Sequence, residues 1–458
     1  MLRTKSGSRA EMDMTSGPIL PNILLFSAPL ILSSILQLLY NAADIIVVGR
    51  FAGAEALAAV GSTSSLVNLL VNLFIGLSAG ASVTIARCYG AGDYKAANRG
   101  VSTAISLALT AGVLVMAVGF FGARQFLTWM GTPDNVLEGS SLYLKIFFLG
   151  MPFNMLYNYG AAVMRAVGDT KRPLYYLTFS GIVNLLLNLL LVIVFRMSVA
   201  GVAIATVTSQ VISCALVLRH LIRTDSPLKL DWRHLGFDPW QLKTILIIGL
   251  PAGLQSILFS LSNVLIQSSV NSFGSDAMAG NAASSSVEGF VYAAMNALHH
   301  AALTFSSQNV GARKPERVQR TLWICLGVVT AVGLGLGFLL LSFGRPLLAL
   351  YNADPEVIRF GMMRMSIILP TYFLCGIMDT MVGQLRGVGF TILPMVVSLL
   401  GACALRIVWI MTVFAANPST TTLYISYPIS WFVTLVVHFI CYMFLSPKKL
   451  AILKTEAA

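Results

Sequence analysis

Long apolar runs alternate with short polar connections from residue 20 to residue 445. A run of about 20 apolar residues is long enough to cross a bilayer as a helix. Because lipid offers backbone groups no hydrogen-bond partners, each run is predicted to be helical. The pattern predicts an all-α polytopic membrane protein with twelve transmembrane helices, at residues 20–48, 57–85, 101–122, 141–163, 174–195, 199–219, 244–270, 277–305, 322–343, 361–383, 391–414 and 423–445.

The longest polar stretch, residues 220–243, divides the spans six and six. We therefore expect five regions along the chain. These are an N-terminal tail, a first six-helix bundle, a linker, a second six-helix bundle and a C-terminal tail, at residues 1–19, 20–219, 220–243, 244–445 and 446–458.

Composition argues against other classes of protein. Of the 458 residues, 57% are hydrophobic and 10% are charged, whereas an ordinary soluble domain has about 25% charged residues. The sequence contains no GxxxxGK[ST] phosphate loop, no HExxH zinc motif and no evident Ser/His pairing, so we expect neither an enzyme nor a cofactor. Its six cysteines are scattered without a CxxC pair and are interpreted as small core residues.

The positive charges predict an orientation rather than a nucleic-acid partner. Counted by the side of the membrane to which they lie nearest, 22 of the 30 Lys and Arg residues belong to the tails and the even-numbered loops. Arg406 lies inside a span, and seven fall on the other side, namely Arg50, Arg124, Lys145, Arg196, Arg345, Arg359 and Arg364. This bias predicts that both termini are cytoplasmic, in a protein of the cytoplasmic membrane.

The two halves repeat each other. At an offset of 221 residues, Arg165, Gly168, Thr170 and Pro173 match Arg386, Gly389, Thr391 and Pro394, and Gly90 and Arg99 match Gly311 and Arg320. At an offset of 222, Pro29 and Phe51 match Pro251 and Phe273. Six spans preserve orientation, so we expect two bundles related by a pseudo-twofold axis along the membrane normal. A binding site is expected between or within them.

Polar groups inside the spans mark the candidate site, since a charge at the bilayer centre costs ~2.5–3.5 kcal/mol on insertion scales. Asp44 follows Gln37 and Asn41 at helical spacing, which puts all three on one face. Asn184 and Asn188 are one turn apart in span five, and Thr206 lies in span six. Their oxygens suit a hard cation. The functional interpretation is a site for H⁺ or Na⁺, and the alternative is structural hydrogen bonding between helices.

The second half carries a matching set of polar residues. Asn263 and Gln267 share one face of span seven, Glu288 lies in span eight, and Asp379 lies in span ten. Asp379 aligns with Asn158 of the first half, so the halves place polar groups at similar depth. A hydrated interior explains these residues better than lipid contact does. Arg406 is interpreted as charge compensation for Asp379 or Glu288.

These features together resemble the multidrug and toxic compound extrusion (MATE) family over residues 20–445. The resemblance rests on the duplicated halves and on three motifs, Asn-Ala-Ala-Asp at 41–44, Arg-Ala-Val-Gly-Asp-Thr-Lys-Arg-Pro at 165–173 and Arg-Gly-Val-Gly at 386–389. It implies export of organic cations or drugs in exchange for Na⁺ or H⁺. It also implies a cation-binding role for Asp44, Asn184, Asn188 and Thr206, cavity-lining roles for Gln37 and Asn158, and a role for Asp379 that only some members use.

Two departures leave the coupling ion open. One branch of the family has Asp where this chain has Asn188, and another has Glu where it has Phe259. The residues assigned to substrate are Gln37, Asn41, Asn158, Asn263, Gln267, Glu288 and Asp379. The alternatives are a lipid-linked precursor flippase or a dedicated metabolite exporter of the same architecture. The expected partners are small organic cations or drugs and the lipid bilayer, and the protein is expected to be a monomer without a nucleic-acid partner.

Overall fold

The computed structural model describes residues 12–455, apart from the side chains of Ala54, Lys448 and residues 452–455. The basic residues of the N-terminal tail, Arg3, Lys5 and Arg9, lie outside the described residues. All regular elements within this range are helical. The first half contains α1 (Ile19–Val47), α2 (Ala54–Gly90), α3 (Tyr94–Trp129), α4 (Asp134–Leu149), α5 (Met151–Ala166), α6 (Lys171–Asn188) and α7 (Ser198–Arg223).

The second half repeats this order. It contains α8 (Pro239–Asn271), α9 (Ser275–Gly311), α10 (Pro315–Ser342), α11 (Gly344–Ala349), α12 (Pro355–Val388), α13 (Ile392–Ser398), α14 (Leu405–Trp409) and α15 (Thr420–Thr455). Four π-helical segments continue these helices, at Val48–Ala52, Leu189–Val194, Leu399–Ala404 and Ile410–Phe414. A short 3₁₀ turn, Trp232–His234, precedes α8.

The helices follow the twelve predicted spans, and ten of the described helices are long and apolar enough to cross a membrane. The fourth span falls outside this set because it is two 16-residue helices, α4 and α5, that meet at Gly150. Pro152 follows and has no backbone N–H to continue the helix. The eighth span, α9, is long enough but is rich in Ala, Ser and Asn rather than in large apolar residues.

The chain forms two compact units. The N-terminal unit contains Met12, Leu32–Tyr89 and Asp93–Gly249, so the predicted linker 220–243 lies within it. The C-terminal unit contains Asp13–Ile31, Gly90–Gly92 and the chain from Leu250 onward. The chain therefore changes units inside α1 and inside α8. Each of these two helices carries an internal proline near the change, Pro29 and Pro251.

Small residues allow close helix packing within each unit. In the N-terminal unit, a Cβ on Gly112 of α3 would lie 2.6 Å from Cα of Pro152 in α5. In the C-terminal unit, a Cβ on Gly383 of α12 would lie 2.6 Å from the carbonyl oxygen of His299 in α9. In both pairs the helices lie closer together than a larger side chain at the glycine would allow.

The segment Asp13–Gly17 docks on the C-terminal unit through its backbone carbonyls. Asn309 Nδ2 donates to Met14 O at 3.1 Å, Lys314 Nζ donates to Thr15 O at 2.7 Å, and Arg317 Nη1 donates to Gly17 O at 2.9 Å. The Met14 side chain is fully buried. These contacts fix the described start of the chain against the junction of α9 and α10.

Candidate functional site

Asp44 and Asn188 meet in the N-terminal unit. Asn188 Nδ2 on α6 donates to Asp44 Oδ1 on α1 at 2.5 Å, and also to Asn184 Oδ1, one turn away, at 3.3 Å. Asn188 is fully buried, Asn184 is 6% exposed and Asp44 is half-buried. The two elements that the sequence marked as polar thus converge on one point, with a single carboxylate among three polar side chains.

A glycine lets α1 and α6 approach closely enough for this contact. The ring of Tyr40 on α1 occupies the space where a Cβ on Gly181 of α6 would lie. The hydroxyl of Tyr40 donates to the carbonyl oxygen of Thr178 at 3.2 Å. Asp44 lies one turn beyond Tyr40, and Asn188 lies two turns beyond Gly181. The packing of Tyr40 on Gly181 therefore sets the spacing of the site.

Both helices change to π geometry within about one turn after their polar residue. The segment Val48–Ala52 begins four residues after Asp44, and the segment Leu189–Val194 begins immediately after Asn188. Short π-helical insertions are uncommon and occur frequently at functional sites. The backbone thus departs from regular helix on both sides of the polar cluster.

The residues present fit a small hard cation, which prefers oxygen ligands. Asn188 Oδ1 is buried and has no hydrogen-bond partner among the described residues. It lies on the same amide whose Nδ2 contacts Asp44 and Asn184. Thr206, the fourth residue predicted for Na⁺, donates its hydroxyl to Val202 O at 3.0 Å and makes no hydrogen bond to the other three. Three of the four predicted cation-site residues are therefore joined by hydrogen bonds.

Two of the three first-half residues assigned to substrate lie near the cluster along the chain and are more accessible. Gln37 and Asn41 occupy the two turns of α1 before Asp44 and are exposed. Asn158 on α5 is half-buried, and its Nδ2 donates to Asn154 O at 2.9 Å and to Asn154 Oδ1 at 3.0 Å. No hydrogen bond within residues 12–455 joins Asn158 to Asp44. Contact of these residues with substrate stays a prediction.

In the C-terminal unit, Glu288 on α9 forms a buried ion pair with Arg364 on α12. Arg364 Nε donates to Glu288 Oε1 at 2.8 Å, and Nη2 donates to Oε2 at 2.7 Å. The two side chains are 5% and 8% exposed. The assignment of Arg364 to a loop was wrong, because α12 begins at Pro355 and carries Arg364 nearly three turns into the helix.

A hydrogen-bonded network extends from this ion pair. Arg364 Nη1 donates to Asn281 Oδ1 at 2.7 Å, and Asn281 Nδ2 donates to Gln267 Oε1 at 2.9 Å. The Tyr424 hydroxyl donates to the same Asn281 oxygen at 3.2 Å. Gln267 and Glu288, both assigned to substrate, therefore already have protein partners. Asn263, on α8, is exposed.

Arg406 does not compensate either acidic residue, so that interpretation was wrong. Glu288 is paired with Arg364 instead. Asp379 is half-buried, and no ion pair within residues 12–455 joins it to Arg406. The signal for Arg364 was present in the sequence, since residue 364 already fell inside the predicted span 361–383. A charge inside a span needs a partner, and Glu288 was available.

The all-helical fold in two units and the buried polar sites are those of a multi-pass membrane transporter, not of an enzyme. The MatE family model matches the chain twice, over residues 29–190 and 251–412. Since the matches cover more than half of the chain, the chain belongs to the MatE family. The two matches start 222 residues apart, at Pro29 and Pro251, which is the offset of the internal repeat.

Similar proteins extend over nearly the whole chain. The probable multidrug resistance protein YoeA of Bacillus subtilis is 29% identical, with 93% of this chain and 94% of that protein covered. The FAD transporter of Shewanella oneidensis is 25% identical, with 76% and 77% covered. An outward-facing multidrug resistance MATE family transporter shares the fold at a TM-score of 0.90 and 19% identity, over 98% of this chain and 100% of that one.

Proposed function

We propose that this protein is a secondary antiporter that exports organic cations or drugs in exchange for Na⁺ or H⁺ by alternating access. We place it in the cytoplasmic membrane with both termini in the cytoplasm. The observation that carries the proposal is the contact of Asp44 with Asn188 beside Asn184. Similarity to YoeA, a probable multidrug resistance protein, supports the choice of cargo.

A single carboxylate explains exchange in simple terms. One negative charge balances one H⁺, one Na⁺ or one organic cation, so these ligands compete for Asp44. The buried Asn188 Oδ1 and Asn184 Oδ1 add neutral oxygen ligands for Na⁺. Binding of the coupling ion favours the conformation to which it binds more tightly, which shifts the equilibrium between outward-open and inward-open states. Release of cargo and entry of the ion are thereby linked.

An ion gradient can drive export without ATP. One elementary charge crossing a potential of 100 mV supplies ~2.3 kcal/mol. At about 1.4 kcal/mol per tenfold change in concentration, this supports a gradient of roughly 50-fold for a neutral substrate. For a cargo with one positive charge, one-for-one exchange moves no net charge, so the concentration gradient of the coupling ion drives export instead.

The test is accumulation of a fluorescent lipophilic cation in pump-deficient cells that express the wild type or Asp44→Asn at equal membrane levels. We expect the wild type to lower accumulation and Asp44→Asn to behave like cells without the protein. Asp134→Asn is the matched control, because Asp134 is an exposed carboxylate of the same unit at the start of α4. It should export like the wild type.

Repeating the assay with and without Na⁺ identifies the coupling ion. Export that needs external Na⁺ assigns Na⁺, and export that persists without Na⁺ but collapses when the proton gradient is dissipated assigns H⁺. Normal export by Asp44→Asn at matched expression would overturn the assignment of Asp44. It would move the coupling site to the C-terminal unit.

A second candidate function is export of a dedicated metabolite, and one specific observation favours it. The Shewanella oneidensis relative, similar over three quarters of this chain, is named as a FAD transporter. Measuring flavins in the medium of cells that overproduce this protein separates the two candidates. Accumulation of FAD outside the cells, with unchanged retention of lipophilic cations, would favour the metabolite.

A further inference from the structure

Arg406 occupies an unusual backbone position in the C-terminal unit. The five-residue helix α14 that carries it lies between two π-helical segments, Leu399–Ala404 and Ile410–Phe414. The guanidinium carbon lies 4.3 Å from the centre of the Tyr427 ring and 5.6 Å from that of the Trp431 ring, both on α15. Nε donates to the Ser430 hydroxyl at 2.8 Å. The residue is 4% exposed.

The charge of Arg406 has no carboxylate partner. No ion pair of the described chain includes it, and Nε is its only hydrogen-bonded nitrogen within residues 12–455. The Tyr427 and Trp431 rings make cation–π contacts with the guanidinium, and such contacts do not use its N–H donors. The N–H bonds lie in the guanidinium plane. Nη1 and Nη2 are not among the fully buried unpaired atoms of the described residues, so they remain available to donate to a further acceptor. Arg364 differs, because Glu288 and Asn281 accept from both of its Nη atoms.

The internal repeat relates this position to the cation site. At the offset of 221, the π segment Leu189–Val194 corresponds to Ile410–Phe414. Asn184 and Asn188 correspond to Leu405 and Trp409, and at the offset of 222 Asp44 corresponds to Ile266. The second half thus retains the second of the two π segments, lacks the carboxylate and both amides, and carries Arg406 beside one of the replaced positions.

We propose that Arg406 is the centre of an anion-binding subsite, which takes a carboxylate or phosphate group carried on a planar aromatic ring. Two parallel N–H bonds from a guanidinium match either group. Tyr427 and Trp431 pack edge to face, and Tyr372 stacks on Trp431 at 5.3 Å. Tyr372 and Tyr427 are half-buried, so this aromatic wall reaches the accessible surface of the unit and offers a face for the ring.

This subsite rests on the proposed transport function and deepens it, because it names the side chain that would bind the acidic group of an aromatic cargo. Arg406 and Asp44 carry opposite charges, so substitution of Arg406 tests recognition of an acid separately from the cation site.

The test is equilibrium binding to purified full-length protein, which does not depend on transport. Two ligand pairs each keep the ring and remove the acid: norfloxacin with its methyl ester, and riboflavin 5′-phosphate with riboflavin. We expect Arg406→Gln to weaken binding of the acids by about 10- to 100-fold, the range for a charge-assisted hydrogen bond. The ester and riboflavin should change by less than about twofold. Arg406→Lys keeps the positive charge but loses the two parallel N–H donors. Its affinity for the acids should therefore lie between those of the wild type and Arg406→Gln.

Arg345→Gln is the matched control, because Arg345 is an exposed arginine of the same unit. It should leave all four affinities unchanged. A loss confined to one acid supports the subsite and names its group as carboxylate or phosphate. Equal losses for acid and neutral partner would assign Arg406 a structural role and overturn the proposal. Absence of any loss, or absence of acid binding by the wild type, would overturn it as well, whatever the efflux assay of Asp44→Asn shows.

Discussion

At the scale of single residues, the strongest prediction concerns Arg364. Replacing Arg364 with Met leaves the Glu288 carboxylate buried without its counter-charge and removes a donor from Asn281. Breaking a buried ion pair by removing one partner typically costs about 3–5 kcal/mol, because an uncompensated charge remains. We therefore expect Arg364→Met to lower the thermal unfolding midpoint of the purified protein in detergent. The double variant Arg364→Met with Glu288→Met should recover most of the loss.

The control for this prediction lies on the same helix. Arg359 pairs with Glu356 at 2.6 Å, but both side chains are more than half exposed. Exposed ion pairs contribute about 0–1 kcal/mol, so Arg359→Met should shift the midpoint little. If Arg364→Met unfolds at the same temperature as Arg359→Met, the buried pair contributes no more to stability than the surface pair.

Residue spacing predicted the site around Asp44 better than it predicted the ion pair of Glu288 with Arg364. The one-turn spacing of Asn184 and Asn188 placed both amides on one face of α6, and their contact with Asp44 follows from that face. The ion pair of Arg364 was missed for a physical reason. Residue 364 fell near the start of the predicted span 361–383, so it was counted with the charges outside the membrane. Which carboxylate a buried arginine contacts depends on how α9 and α12 pack, and no single segment encodes that.

At the scale of helices, the approach of α1 to α6 is the feature to test. Gly181→Ala adds a Cβ where the Tyr40 ring lies, so the helices must separate or the ring must move. The variant leaves Asp44 and Asn188 unchanged but increases the distance between their side chains. We expect export of lipophilic cations to fall several-fold at equal expression. Tyr40→Ala combined with Gly181→Ala should restore part of it, because the smaller side chain removes the clash.

Gly61→Ala is the matched control for that variant. Gly61 lies in α2 of the same unit, and a Cβ there would meet nothing within 4 Å. Alanine also has the higher helix propensity, by about 1 kcal/mol, so neither substitution weakens its own helix. An effect of Gly181→Ala no larger than that of Gly61→Ala would show that the close approach of α1 and α6 does not set the geometry of the site.

The positions of the helices could be predicted, but their irregularities could not. Runs of apolar residues located the helices, because lipid requires each membrane-spanning run to be helical, and ten of the described helices are long and apolar enough to cross a membrane. The break at Gly150 carried a local signal in Pro152 that hydropathy averages away. The π segments after Asp44 and Asn188 carry no such signal. An extra residue in a turn is tolerated where neighbouring helices accommodate it, so it depends on tertiary packing.

At the scale of the whole molecule, the repeat was visible in the sequence and the division into units was not. Eight matched residues at offsets of 221 and 222 predicted two related halves, and the two matches of the family model confirm them. The predicted linker 220–243 marks where the spans divide six and six. The units instead divide inside α1 and α8, near Pro29 and Pro251. Hydropathy is continuous through both helices, so it cannot show this exchange.

The orientation of the molecule decides from which side the cation site is loaded. Because Arg364 lies inside a helix, it leaves the count of loop charges. The predicted cytoplasmic side then has 22 basic residues and the other side has six, which strengthens the prediction of cytoplasmic termini. We expect a membrane-impermeant maleimide on intact cells to label Asp134→Cys but not Lys229→Cys, and to label both after permeabilisation. Both parent side chains are exposed, and the native cysteines lie in helices, five of them buried and Cys441 half-buried, so the unsubstituted protein supplies the background.

The labelling result bears on the mechanism because Asp44 lies nearer to one end of its helix than to the other. Asp44 lies eight residues before Ala52, about 12 Å from that end of the helix at 1.5 Å per residue, and about 37 Å from Ile19. With the N-terminus inside, the carboxylate is therefore nearer to the outer surface, where the coupling ion enters. Labelling of Lys229→Cys alone on intact cells would invert the molecule. Asp44 would then lie nearer to the cytoplasm, and an inward ion gradient could not load it first from outside.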